Sequence, residues 1–109
     1  MSGIVANLGK SSYYAVIFSS VKNKEIEGYS EMAERMWALA HEQPGFLGVD
    51  SASSDISITV SYWESLEAIK KWKSNSEHRI AQQYGRDKWY KCYTLRIAKI
   101  EREYDFGLV

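Results

Sequence analysis

The chain has 109 residues, 45% of them hydrophobic and 26% charged, the proportions of a folded globule and not of a disordered chain. Fourteen Lys and Arg balance fourteen Asp and Glu, so the basic excess with which proteins neutralise nucleic-acid phosphates is missing. No uncharged apolar run approaches the ~20 residues of a membrane span, the opening MSGIVANLGK lacks the make-up of a signal peptide, and the lone Cys92 has no internal disulfide partner, which together point to the cytoplasm.

Residues 1–12 carry no periodicity and are expected to form a loose or partner-bound arm. Tyr13 to Ser20, YYAVIFSS, is a run of β-formers that is apolar on both faces, so both sides of its sheet should be covered. Tyr29 to Glu42 reads as a helix: Tyr29, Met32, Ala33, Met36, Trp37 and Ala40 make one continuous apolar stripe, which places Trp37 in the core. Gln43-Pro44-Gly45 stops it, because proline cannot continue the hydrogen-bond ladder. Phe46 to Ser53 and Ile56 to Trp63 read as a hairpin with one apolar face, Ile56/Ile58/Val60/Tyr62.

Ser65 is the expected cap of a second helix along which Leu66, Ile69 and Trp72 keep helical spacing. Ser74-Asn75-Ser76 interrupts it and opens a further piece with His78, Ala81, Gln82 and Gly85 on one face. Gly85 suits a left-handed cap. Trp89 to Arg102, WYKCYTLRIAKIER, is a long last strand. Cys92, Thr94, Arg96, Ala98 and Ile100 share one face of it, and Tyr93, Leu95, Ile97 and Lys99 the other. Tyr90 and Tyr93 are then expected to point to opposite sides. The tail, residues 103–109, is apolar enough to dock.

Strand, helix, strand, strand, helix, strand is the α+β, ferredoxin-like βαββαβ arrangement, expected as a single domain over residues 1–109. Its helices cover one face of a four-stranded antiparallel sheet, and the other face, roughly 500 Å² from strand dimensions, is apolar along whole strands. A two-fold homodimer with the sheets face to face is predicted.

The segments QPGFLG, SYWESLEAIKKWKSNSEH, AQQYGR and WYKCYTLRIAKIER together resemble the antibiotic biosynthesis monooxygenase-like family, over roughly Tyr13 to Tyr104. The resemblance implies a dimeric α/β barrel and a choice of activities. One is cofactor-independent oxygenation of a small aromatic or phenolic substrate, in which the ionised substrate itself supplies electrons to oxygen. Another is a ligand-binding or structural homodimer without chemistry. Haem degradation is the least supported: those members carry a histidine ten residues after a tryptophan matching Trp72, and Gln82 stands there, a poor axial ligand beside imidazole.

His78 is the candidate general base, since imidazole titrates nearest neutrality; equally it could be a helix-start histidine bonded to the preceding turn. Arg96 could stabilise an oxyanion or pair with an acidic residue across the dimer. Trp63 and Trp72 could stack on a flat ligand or pack the core, and Gln82 and Tyr93 complete the candidate substrate contacts. His41, near a helix end, is taken as structural, and Cys92 as a buried inert thiol. The fifteen aromatics, four of them Trp and eight Tyr, are too many for one small core, so some should line a cavity or an interface. No spacing for a metal or a nucleotide phosphate is present, and no cofactor is expected.

Overall fold

The computed structural model describes residues 12–107. The arm expected over residues 1–12 lies, apart from Ser12, outside these, as do the last two residues of the tail. The elements follow the order β1 (Tyr13–Lys22), α1 (Tyr29–His41), β2 (Phe46–Ser53), β3 (Ser57–Trp63), α2 (Leu66–Ser74), α3 (Ser76–Tyr84), a π-helical turn (Gly85–Trp89) and β4 (Tyr90–Ile100). The strands form one sheet in the order β2-β3-β1-β4, every neighbour antiparallel. This is the ferredoxin-like α+β fold.

Local chemistry sets the helix boundaries. Past α1 the chain turns at Gly45, whose φ of 85° is left-handed and which lies beside Pro44. Ser65 caps α2 by accepting a hydrogen bond from the Ala68 N–H at 3.1 Å. Asn75 ends α2 and starts α3: its N–H reaches the Trp72 carbonyl, while its Oδ1 accepts from Glu77 and His78 N–H groups at 3.0 and 3.1 Å. An exposed bidentate pair, Arg35 with Glu77 at 2.8 Å, ties α1 to α3.

The two faces of the sheet differ in an unexpected way. Trp63 of β3 and Tyr14 and Val16 of β1 pack with Ala68 and Ile69 of α2, which identifies the helix-covered face. By strand alternation that face also carries Ser57, Thr59 and Ser61 of β3. Ser51 and Ser53 of β2 lie there too, Ser51 beside Thr59 at 3.3 Å and Ser53 beside Ser57 at 2.7 Å. Lys22 Nζ donates to Ser57 at 2.7 Å and sits 4.9 Å from the ring centre of Tyr29 on α1. The apolar set of β3, Ile58, Val60 and Tyr62, points the other way, to the face without helices. There it is continuous through the strand pairing with Ala15, Ile17 and Ala98. Tyr62 donates to Asp50 at 2.7 Å and meets Tyr13 edge-on, and Tyr13 donates to Glu103 at 3.3 Å. Burial first, and the bonded carboxylate second, raise both phenols above their ordinary pKa.

Several expectations need correction. Gly85 does cap α3, but in the right-handed conformation, with φ of −58°, and leads into the π turn. Glycine is needed there for close approach, because a Cβ would meet the Tyr90 ring at 2.8 Å. Tyr90 and Tyr93 share the helix face. The pairing shifts between Val21 and Lys22 so that Lys91 is an extra residue, and the two rings lie 5.8 Å apart, each touching Phe18. Trp37 is 37% exposed and lies tilted against His41, centroids 3.9 Å apart, while Leu39 is the buried member of α1. Cys92 is exposed. Of the tail, Glu103 is held, but Tyr104 and Phe106 are in solvent.

The two crossover connections meet at one end of the sheet. Trp89, buried, donates its indole N–H to the Glu27 carbonyl at 3.0 Å. Asn23 donates its backbone N–H to Trp89 O and its side-chain amide to Lys88 O, each at 2.8 Å.

Candidate functional site

Three aromatic rings stand in a column at the α2–α3 joint. Trp63, the last residue of β3, is fully buried, with its indole N–H on Ser61 Oγ at 3.0 Å and Phe46 edge-on at 5.2 Å. Trp72 of α2 stacks above it, centroids 6.0 Å apart. His78 of α3 lies nearly parallel on Trp72 at 4.0 Å. Helical spacing places Trp72 above Ala68 and Ile69, and the cap at Asn75 turns the chain so that the first turn of α3 returns His78 over it.

The imidazole tautomer follows from its partner. Nδ1 lies 2.9 Å from the Trp72 carbonyl, which can only accept, so Nδ1 carries the proton. Gln82 Nε2, 3.4 Å from Nδ1, is itself a donor and bonds the Lys73 carbonyl at 3.3 Å. No buried side-chain nitrogen or oxygen among the described residues lacks a partner, and the ring bonds only through Nδ1, so Nε2 reaches solvent with its lone pair. Burial lowers the pKa of His78, opposed by the bond to Trp72. The ring is therefore neutral near pH 7, with Nε2 as its basic nitrogen.

Beside the column the helix-facing side of β4 is left open. Tyr93, Leu95 and Ile97 are 38%, 50% and 49% exposed although they lie on the same face as the core. Pairing sets Ile97 beside Val16 and Leu95 beside Phe18, and Val16, like Trp72, packs on the cluster of Trp63, Ala68 and Ile69. α3 packs chiefly on α1, α2 and the π turn, and so leaves an apolar trough floored by β1 and β4. Tyr90 closes one end: its hydroxyl donates to Tyr29 at 3.4 Å, and burial pushes its pKa far up, so it stays protonated.

Of the residues singled out from the sequence, Trp63, Trp72, His78 and Gln82 come together at the joint, and Tyr93 lies on the trough floor. Trp63 has no free surface and offers no ring to a ligand, and half-buried Trp72 carries the His78 ring stacked against it. Arg96 pairs with Ile17, which puts it on the opposite face of the sheet from His78. Leu95 and Ile97 were visible only as one apolar side of the last strand; nothing in the sequence marked that side as uncovered.

The family model for antibiotic biosynthesis monooxygenase matches residues 12–84. The chain belongs to this family. The match runs from the residue before β1 to the end of α3 and takes in the whole column. A relative from Bacillus subtilis (strain 168), named "Uncharacterized protein YqjZ", is 48% identical over 105 residues, covering 94% of this chain and 92% of its own. Rv0793 from Mycobacterium tuberculosis superposes with a TM-score of 0.68 at 10% identity, over 88% of this chain and 99% of that one. SnoaB, a cofactor-independent oxygenase from Streptomyces nogalater, superposes with a TM-score of 0.65 at 11% identity, over 91% and 100%. At such identities the two structures establish the shared family fold, not a shared reaction.

Proposed function

We propose that this protein is a homodimeric, cofactor-independent monooxygenase of a small aromatic phenol or enol, bound in the trough between α2–α3 and β4. The observation that carries the reading is the fixed tautomer of His78: a neutral ring with its proton on Nδ1 and its Nε2 accessible. Tyr93, Leu95 and Ile97 supply the surface for a flat ring. Nε2 takes the acidic proton of the substrate, and the anion, being electron-rich, reduces oxygen. One oxygen atom enters the substrate as a carbonyl while the other leaves as water with two substrate hydrogens, so no outside reductant is required. General-base assistance of this kind contributes typically ~10²–10⁴-fold.

The dimer completes the molecule. About 500 Å² of sheet face per protomer gives about 1,000 Å² for a pair, the lower bound for a specific interface. The apolar residues of β3 point to that face, where Ile58 is exposed while Tyr13 and Ala15 are buried within the protomer. No helix among the described residues is long and apolar enough to cross a membrane. The exposed Cys92 suits a reducing cytoplasm.

The test follows oxygen uptake with anthrone-like phenols, with haemin as a comparison. Uptake with phenols that falls at least ~10²-fold in His78→Ala supports the reading. The full burial of Trp63 and the stacking of His78 on Trp72 favour one alternative, a binding dimer whose aromatic column is purely structural. Absence of uptake across the phenol series selects it.

A further inference from the structure

Two neighbours of His78 contend for the same ring nitrogen. The Trp72 carbonyl lies 2.9 Å from Nδ1 and can only accept, whereas Gln82 Nε2 lies 3.4 Å from it and can only donate. The first contact needs the proton on Nδ1 and leaves Nε2 basic. The second needs Nδ1 bare and moves the proton to Nε2, which could then take no other. The folded chain thus holds a partner for each neutral tautomer of one imidazole, and the winner decides what the ring can do.

The carbonyl is favoured from both sides. Asn75, at the turn between α2 and α3, has each of its backbone groups and its side-chain oxygen engaged. Its N–H reaches the Trp72 carbonyl at 3.1 Å, its own carbonyl accepts from the Arg79 N–H at 2.8 Å, and its Oδ1 accepts from the Glu77 and His78 N–H groups at 3.0 and 3.1 Å. It therefore holds both members of the pair: the carbonyl that receives Nδ1–H and the backbone that carries the imidazole. The Trp72 ring, 14° from parallel with the imidazole, fixes the plane of the ring. On the other side the Lys73 carbonyl takes the Gln82 amide at 3.3 Å and draws its hydrogen from Nδ1. Because that carbonyl can only accept, the atom beside it is the amide nitrogen and not Oε1. The distances rank the two contacts in the same order, 2.9 Å being an ordinary hydrogen bond and 3.4 Å a long one.

We propose that Asn75 and Gln82 are opposed positioning residues that select the tautomer of His78, Asn75 by holding the Trp72 carbonyl on Nδ1 and Gln82 by offering Nδ1 a competing donor. The inference rests on the proposed function and deepens it, since the base of that reaction is Nε2. It also gives Gln82 a role other than the substrate contact expected from the sequence. Removing the Asn75 side chain frees the first turn of α3, loosens the bond from Nδ1 and lets the Gln82 amide take its place. Removing the amide as well leaves Nδ1 with the carbonyl alone, however loosely held. A residue that merely stabilised the joint would show no such recovery.

The experiment locates the proton by two-bond proton–nitrogen correlation spectra of protein labelled with nitrogen-15 histidine. It is run at about pH 8.5, two units above the ordinary imidazole pKa, where the ring is neutral. His41, the other of the two histidines, bonds the Trp37 carbonyl through Nδ1 at 2.7 Å and is the internal reference that no variant should move. Wild-type His78 should carry its proton on Nδ1. Asn75→Ala should shift the tautomer ratio at least about threefold toward Nε2–H, the effect of one ordinary hydrogen bond. Asn75→Ala/Gln82→Leu should return it to within about twofold of wild type. A wild-type ring protonated on Nε2, an unshifted Asn75→Ala, or a double variant that stays shifted overturns the proposal. If circular dichroism shows that Asn75→Ala does not fold, Asn75→Gly decides in its place, since glycine lacks the acceptor yet is itself a favoured cap. The spectra need no substrate, so the tautomer selection and the oxygenase reading fail separately: absence of oxygen uptake sinks only the second.

Discussion

Replacing Gly45 by alanine should be far more costly than replacing Gly28, although the two have nearly the same backbone. Their φ values are 85° and 84°, so an added Cβ meets the same left-handed penalty in both, about 1–2 kcal/mol. The surroundings differ. At Gly28 the nearest atom is a Trp89 ring carbon at 3.9 Å, an ordinary contact, whereas at Gly45 the Ala68 Cβ lies at 2.7 Å. That methyl group is fixed to the backbone of α2 and cannot rotate away, so the helix must shift. Overpacking of this kind costs about 1–3 kcal/mol, giving about 2–5 kcal/mol for Gly45→Ala against about 1–2 kcal/mol for Gly28→Ala. At roughly 4 °C per kcal/mol for a domain of this size, thermal unfolding at fixed protein concentration should show losses of about 8–20 °C and 4–8 °C. Ala68→Gly in the Gly45→Ala background should recover most of the difference. Equal losses at the two glycines, or no coupling between Gly45 and Ala68, would refute the claim that backbone contact seats α2 on the sheet.

Asn75→Ala removes the acceptor shared by two N–H groups and should lower stability by about 0.5–2 kcal/mol in a denaturant titration; Asn75→Ser, which keeps an acceptor, should retain most of it. His78 has a folded-state pKa below its unfolded value, so the unfolded chain takes up the proton first as pH falls. Its contribution to stability is complete above about 6.5 and is lost as pH drops through the folded value. The midpoint of unfolding should therefore fall below pH 6.5, and less steeply in His78→Gln, a comparison readable by melting across pH 5–8.

The sequence of elements and the helix caps were legible because each rests on a local rule. Alternation marked the faces of β4, Ser65 announced α2, and Asn75 sits where polar residues interrupt the helical stripe. The departures are cases in which one residue changes the period. Lys91 enters the β1–β4 pairing as an extra residue and turns Tyr90 to the side of Tyr93, which no alternation argument can foresee without knowing the partner strand. The π turn at Gly85–Trp89 likewise adds to a helix that the glycine was expected to end. The hairpin showed one apolar face, but not that this face would turn from the helices and leave serines and Thr59 beneath them. His78 was singled out for its chemistry; the structure shows its bond to the end of the preceding helix, and that bond sets which nitrogen is basic. Arg96 was placed with His78 only because the sequence does not say which side of β4 the helices cover.

The meeting of Trp89 with Glu27 and of Asn23 with Lys88 and Trp89 makes the two longest chain reversals a single knot of hydrogen bonds. Segments more than sixty positions apart then share one opening event: loosening the exit from β1 frees the entry to β4, and neither can fray alone. Slow amide exchange at that end should accordingly rise or fall as a block, with the indole of Trp89 as its pin.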